Sequence, residues 1–356
     1  MPAALPQINT DCQMADLDFF SDYMEGAAPE ILQRLVETNL EKTPGYGTDD
    51  YCKSAADKIR TACAAPDAEV FFLSGGTQTN KTVIMALLRA WEGVISAKTG
   101  HIAVHEAGAI ENGGHKVFDL PEHLGKLDPA EVEAAFANFE ADGNHDHMPA
   151  PALVYISHPT ETGTLYSKAE LEALSTIAHR HGAKLYLDGA RLGYGLASSQ
   201  TDVTLADIAR TCDAFYIGGT KVGALFGEAV VFPKKGTAPH FFTFMKQQGA
   251  LLAKGRILGI QFDTLFTDGL YERLGRHANE LAYKVRAALT AKGYEVVFGS
   301  VTNQTFIRLT NDEWERLSKI VGLSFWEKPD AEHTVARIAT SWATREEDID
   351  RMLELL

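Results

Sequence analysis

Three short segments carry residue types suited to chemistry. Ser74-Gly75-Gly76-Thr77-Gln78-Thr79-Asn80 lies between an apolar run and an apolar helical pattern. A small-residue turn opening a helix exposes backbone N–H groups along the helix dipole, which suits an anion such as phosphate. Gly76 and Thr77 are the candidate donors, and a plain turn capped by Ser or Thr would show the same pattern. Asp188-Gly189-Ala190-Arg191 follows a second apolar run. An acid at the mouth of a buried strand needs a partner, either a cofactor's ring nitrogen or a structural arginine. Gly218-Gly219-Thr220-Lys221-Val222-Gly223 follows a third. A lysine in an apolar pocket has a lowered amine pKa and attacks carbonyls; on a surface loop it would only be solvated.

A phosphate turn, then an acid, then a lysine is the layout of a pyridoxal-phosphate (PLP) site, which needs a phosphate cradle, a pyridinium partner and a Schiff-base lysine. His105 is a candidate for stacking on the cofactor ring, with a helix cap or core histidine as the plain alternative. No GxxxxGK[ST] occurs, which excludes a Walker A loop, and no GxGxxG opens a βαβ unit, which argues against a nicotinamide dehydrogenase. His145-Asp146-His147 reads as a solvated turn rather than a metal clip. The Phe241-Phe242-Thr243-Phe244 cluster reads as core or interface filling.

The elements that must position these residues alternate short apolar runs with helical patterns, the signature of an α/β fold with a mostly parallel sheet flanked by helices. Strands are expected at 70–73, 102–105, 116–120, 153–157, 184–187, 214–217 and 229–232. Helices are expected at 77–91, 129–139, 168–181 and 205–210, then one long helix over 261–291. Strands at 295–301, 304–309 and 334–338 and a helix at 346–356 would form a small C-terminal α+β domain. The expected division is an N-terminal arm (1–20), a large domain (21–260) and a small domain (261–356). Ligands in such sheets sit beyond the carboxyl ends of the strands, where all three segments fall.

With 356 residues, the chain is long enough to bury a core without disulfides or metals. Its net charge of −15 opposes nucleic-acid and membrane-surface binding, so an anionic ligand must find local positive charge. Cys12, Cys52, Cys63 and Cys212 form no CxxC pair and no zinc-like spacing, and are expected to be free thiols. No secretory signal and no apolar stretch of ~20 residues is evident, and the expectation is a cytoplasmic protein.

Over nearly its whole length the sequence resembles the threonine aldolase family of fold-type-I PLP enzymes, whose large domain is aspartate-aminotransferase-like. The matching segments are Phe20-Ser21-Asp22, Gly45-Tyr46-Gly47, Gly76-Thr77-Gln78-Thr79-Asn80, His105, Glu111-Asn112-Gly113-Gly114, Asp188-Gly189-Ala190-Arg191, Lys221 and Arg337. The resemblance implies that Lys221 carries the cofactor, Asp188 bonds its ring nitrogen, Gly76 and Thr77 hold its phosphate, and His105 stacks on it. It implies that Ser21, Arg191 and Arg337 bind the substrate carboxylate. It also implies a homotetramer in which Lys246 and Lys254-Gly255-Arg256 approach a neighbour's phosphate. Where bacterial members tend to show a Thr-His-Asn-Gly-like stretch, this chain has Ser157-His158-Pro159-Thr160-Glu161, leaving His158 as candidate for the second active-site histidine.

The implied reaction is cleavage of an L-3-hydroxy-α-amino acid of the threonine, allo-threonine or phenylserine type into glycine and an aldehyde, with His105 as candidate base for the β-hydroxyl. The alternative on the same scaffold is a β-eliminating or C–S lyase. A catalytically silent PLP-binding protein would lack the lysine or the acid, and both are present.

Overall fold

The computed structural model describes residues 17–356. Cys12 and most of the expected arm lie outside them. Seven strands form the first sheet: β1 (Glu69–Leu73), β2 (Glu92–Ala97), β3 (Val117–Leu120), β4 (Ala150–Ser157), β5 (Lys184–Asp188), β6 (Ala214–Gly218) and β7 (Glu228–Phe232), in the order β1-β7-β6-β5-β4-β2-β3. All neighbours run parallel except at β7, which is antiparallel to both β1 and β6. Four antiparallel strands, β8 (Glu295–Val297), β9 (Gln304–Thr310), β10 (Ser324–Glu327) and β11 (His333–Ala339), form the second sheet in the order β10-β11-β9-β8.

The large sheet is apolar on both faces because helices cover both. Val154, Ile156, Leu185, Leu187, Phe215 and Ile217 enter one core, while Leu153, Tyr155, Tyr186 and Tyr216 enter the other. This period-two split sends three adjacent strands' tyrosines to one face, against the helix Gly76–Leu87. A third core joins Leu281, Val285 and Leu289 to the small sheet and also takes in Leu17 and Phe19. The helix Leu270–Ala291 serves two cores, since Leu270, Tyr271 and Ala278 pack into the first.

Two expectations need correction. Residues 102–105 are not a strand: the strand is β2, ending at Ala97, and His101–Val104 is a helical turn. The run Val94–Ala97 is buried and pairs with β3 on one side and β4 on the other, one strand in from the sheet edge. The long helix over 261–291 is two helices, Arg256–Leu265 and Leu270–Ala291, because Asp268 and Gly269 both take positive φ (50° and 68°). The helices Pro29–Glu37 and Asp50–Ala62 and the strand β10 were not expected; the second helix is capped by Asp49, which accepts from the Cys52 N–H.

Candidate active site

The three segments meet because two strand-end loops cross backbone to backbone. Gly218 N–H donates to the Gly189 carbonyl at 2.9 Å. A Cβ on Gly189 would stand 2.0 Å from the Tyr216 carbonyl oxygen, and one on Gly218 2.4 Å from that of Ala190. Only glycine allows this approach, and it brings Asp188 and Lys221 to one cavity of about 600 Å³. Gly76, Thr77, His105, Arg191 and Arg337 line the same cavity.

Asp188 is buried, and each carboxylate oxygen accepts two bonds. Oδ2 takes the Tyr155 hydroxyl (2.6 Å) and Asn80 Nδ2 (2.9 Å); Oδ1 takes the Tyr216 hydroxyl (2.5 Å) and the Ala190 N–H (2.9 Å). Burial works to raise its pKa, but the His101 charge and the bonds from Tyr155, Tyr216 and Asn80 outweigh it, so the group stays below the usual carboxylate range. Such an anion, bonded only to neutral donors, suits a protonated ring nitrogen. The Tyr186 hydroxyl donates to Asn80 Oδ1 at 2.8 Å, so the third tyrosine braces the same site.

Lys221 is pulled toward the neutral amine, first by burial and then by the like charge of Arg191. Its Nζ lies 5.7 Å from the centre of the Tyr23 ring. Nearby Glu228 is buried, accepts from Thr220 Oγ1 (2.8 Å) and Gly219 N–H (3.1 Å), and is pushed up to about 8 by burial. At the helix N-terminus, open space surrounds the position of a Gly75 Cβ, leaving a cradle over the first N–H groups. The cradle, the lysine and the acid bonded by neutral donors together fit PLP.

Arg191 pairs with Asp22 through two bonds, Nε–Oδ2 at 2.7 Å and Nη2–Oδ1 at 2.9 Å. Its charge is therefore already matched, and the expected Arg191 clamp on the substrate carboxylate is not free in this arrangement. Arg337 has only neutral partners, Gln304 Oε1 (3.0 Å) and the Phe20 carbonyl (3.1 Å), and its Nε is buried without one. Its charge remains for a carboxylate.

Ser21 is buried with its Oγ unpartnered and is not among the cavity-lining residues. His158 departs from expectation: it is 0% exposed, lies outside the cavity, and its Nδ1 accepts the Tyr166 N–H at 3.3 Å. Burial drives its pKa down to about 4. The chain turns it inward beside Tyr166, so it cannot serve as a second active-site histidine.

His105 lies on the exposed rim, its ring centre 5.7 Å from that of His101. His101, which the sequence reading passed over, is the more enclosed: Nδ1 meets Glu106 Oε1 at 2.8 Å, and Glu106 Oε1 also accepts from Asn80 at 2.7 Å. Burial works to lower the His101 pKa, but Glu106, Glu161 and Asp188 raise it on balance. Placing the strand at 92–97 would have drawn attention to His101, the residue just past the turn that follows it. Asp22, Asn80 and Glu161 stand in segments quoted above without a role of their own, and Tyr155, Tyr216 and Glu228 were missed, since single residues leave no local signal of a shared site.

His145–His147 is an exposed single turn, and the described residues hold no cluster suited to a metal. Phe241 is buried in the second core, while Phe242 is exposed. Among the described residues, no helix is long and apolar enough to cross a membrane.

The fold and site have known counterparts. The chain is 43% identical to the Leishmania major threonine aldolase, with a TM-score of 0.92 over 95% of this chain and 98% of that one. A Thermus thermophilus aspartate aminotransferase superposes with a TM-score of 0.71 at 17% identity over 96% of this chain and 91% of its own, a likeness of fold. The profile described as "Beta-eliminating lyase" matches residues 18–312. A low specificity L-threonine aldolase of Pseudomonas aeruginosa is 31% identical over 341 residues, 95% of each chain. The extent of both matches settles the family: this chain is a PLP-dependent lyase of the beta-eliminating lyase family.

Proposed function

We propose that this lyase cleaves the Cα–Cβ bond of L-3-hydroxy-α-amino acids of the threonine type, releasing glycine and an aldehyde. The observation that carries the reading is the single cavity holding Lys221, the four-donor Asp188 and the unmatched charge of Arg337. When bound, PLP supplies the sink for the electron pair released from Cα–Cβ. Lys221 holds the cofactor and, once free, moves the proton at Cα. Asp188 keeps the ring nitrogen protonated, and the N–H groups at Gly76 and Thr77 take the phosphate. Arg337 grips the carboxylate and so fixes which bond on Cα stands ready to break. His101, rather than His105, packs against the ring, because it is the enclosed member of the pair.

The cavity borders both sheets, Lys221 following β6 and Arg337 lying on β11, which supports a large domain (21–260) and a small domain (261–356) closing on the substrate. A homotetramer is the proposed assembly. The exposed Leu32, Val36 and Leu40 support it, as does Arg256, held by the carbonyls of Asn39 and Glu41 beside them. A cytoplasmic location is consistent with the free, buried thiols of Cys52, Cys63 and Cys212.

The test is product analysis with L-threonine, L-allo-threonine and phenylserine. Glycine and the matching aldehyde are expected, with loss to the uncatalysed background in Lys221→Ala. A 2-oxo acid and ammonia without glycine would place the enzyme among β-eliminating lyases instead.

A further inference from the structure

We propose that Glu161 is the base that takes the substrate's β-hydroxyl proton, an inference that rests on the cleavage reading above. It lines the cavity on the loop after β4, where the sequence departs from the Thr-His-Asn-Gly-like pattern. Its Oε1 accepts the Ser157 hydroxyl at 3.0 Å, and Oε2 has no protein partner among the described residues. It lines that cavity together with Lys221, His101, Arg191 and Arg337, among the groups placed to hold the substrate.

The other acids and bases of the cavity are committed elsewhere. Asp188 has two donors on each oxygen, and Asp22, which lies behind the cavity wall, is matched by Arg191. Glu228 is engaged by Thr220 and Gly219 and favours its protonated form. His101 has Nδ1 engaged by Glu106 at 2.8 Å, and although burial works to lower its pKa, Glu106, Glu161 and Asp188 raise it on balance. His105 is on the exposed rim. Glu161 is the carboxylate left with a free oxygen in the cavity.

In the step, Glu161 Oε2 takes the hydroxyl proton as the O–H bond breaks. The oxygen's pair forms the aldehyde C=O bond, the Cα–Cβ bond breaks, and its pair stays on the glycine side. Cα then gains a proton from Lys221 Nζ. The proton on Glu161 passes to water and one returns from water to the lysine, so that both groups end as they began.

The experiment uses the full-chain holoenzyme as wild type, Glu161→Gln and Glu161→Asp. It measures cleavage of L-threonine and L-allo-threonine, the dissociation constant of glycine by calorimetry, and glycine α-proton exchange in heavy water by NMR. Glycine has no β-hydroxyl, so its binding and exchange do not call on this base. The Gln variant should lose about 10²–10⁴-fold in cleavage kcat, with glycine affinity and exchange changed by less than about threefold. The Asp variant, a carboxylate on a shorter stem, should recover part of the loss. A Gln variant that cleaves as well as wild type overturns the inference, and so does a parallel fall in cleavage, exchange and glycine affinity, which would mark a structural role. A wild-type enzyme that exchanges glycine but cleaves no 3-hydroxy amino acid overturns the parent reading and this one with it.

Discussion

Asp22 and Arg191 form a buried two-bond ion pair, Oδ2 to Nε at 2.7 Å and Oδ1 to Nη2 at 2.9 Å, across 169 positions of sequence. Asn303 adds a bond to the same Asp22 oxygen at 2.9 Å and donates also to the Thr340 carbonyl, so the pair ties the strand-end loop of the large sheet to the small sheet.

Breaking that pair should be costly. Asp22→Asn leaves a buried guanidinium unmatched and should lower stability by about 3–5 kcal/mol, read from urea unfolding midpoints. Burial works to raise the Asp22 pKa, but Arg191, then Lys221, outweigh it and hold it well below 3.8. A depressed folded pKa contributes stability that is complete above the unfolded value and lost as pH falls through the folded one. The wild-type advantage over Asp22→Asn should therefore be full at neutral pH and shrink below about pH 4.

The donors on Asp188 should tune the cofactor. Tyr155→Phe or Tyr216→Phe removes one bond of the kind worth about 1.5–3 kcal/mol to a charged acceptor, which raises the Asp188 pKa. Each variant should lose roughly tenfold or more in kcat for threonine cleavage, with the two losses failing to add in the double variant because they share one acceptor.

The two cavity histidines should separate in kinetics. His101→Asn removes the ring that Glu106 holds against the cofactor and, by loosening that positioning, should cost about 10²-fold in kcat. His105→Asn, on the rim, should cost less than about tenfold and act mainly through KM for larger substrates. Steady-state kinetics with threonine and phenylserine distinguish them, and a larger loss at His105 would restore it as the stacking residue.

Arg337→Lys keeps the charge but loses the planar fork. KM for L-threonine should rise about 10–100-fold with a smaller change in kcat. The same substitution should weaken glycine binding by a similar factor, measured by calorimetry.

His158 should matter to acid stability rather than to catalysis. Burial depresses its pKa from 6.5 to about 4, so the folded state holds it neutral while the unfolded chain takes a proton. Its contribution is whole above pH 6.5 and falls away toward about pH 4, by about 3 kcal/mol in all. His158→Gln should flatten the acid side of the stability curve and leave kcat near wild type.

The alternating apolar runs made most strands of the large sheet legible, because a strand buried on both faces leaves a short continuous signal in the sequence. β2 was misplaced by about ten residues, since its Val94–Ala97 run is no more apolar than Ile102–Val104, and only pairing with β3 and β4 separates them. The break at Asp268 and Gly269 was hidden because both flanking helices keep the same apolar period. Lys221, Asp188, Gly76 and Thr77 were readable because each sits at or just past the end of a strand, beside small residues. His101, Asn80, Asp22 and Glu161 were not, because nothing near them in sequence announces a partner.

The sequence by itself determined which groups the site owns: a lysine, an acid and a small-residue turn at successive strand ends of a parallel sheet, where local pattern and chain order suffice. Only the tertiary structure decided how those groups are paired and which side chains face the cavity. Three tyrosines from one sheet face converge on Asp188 and Asn80, Asp22 neutralises Arg191, His158 turns inward and Glu161 turns to the cavity. Each of these pairings joins residues distant along the chain, and the burial that shifts their charges exists only once the sheets and helices have packed.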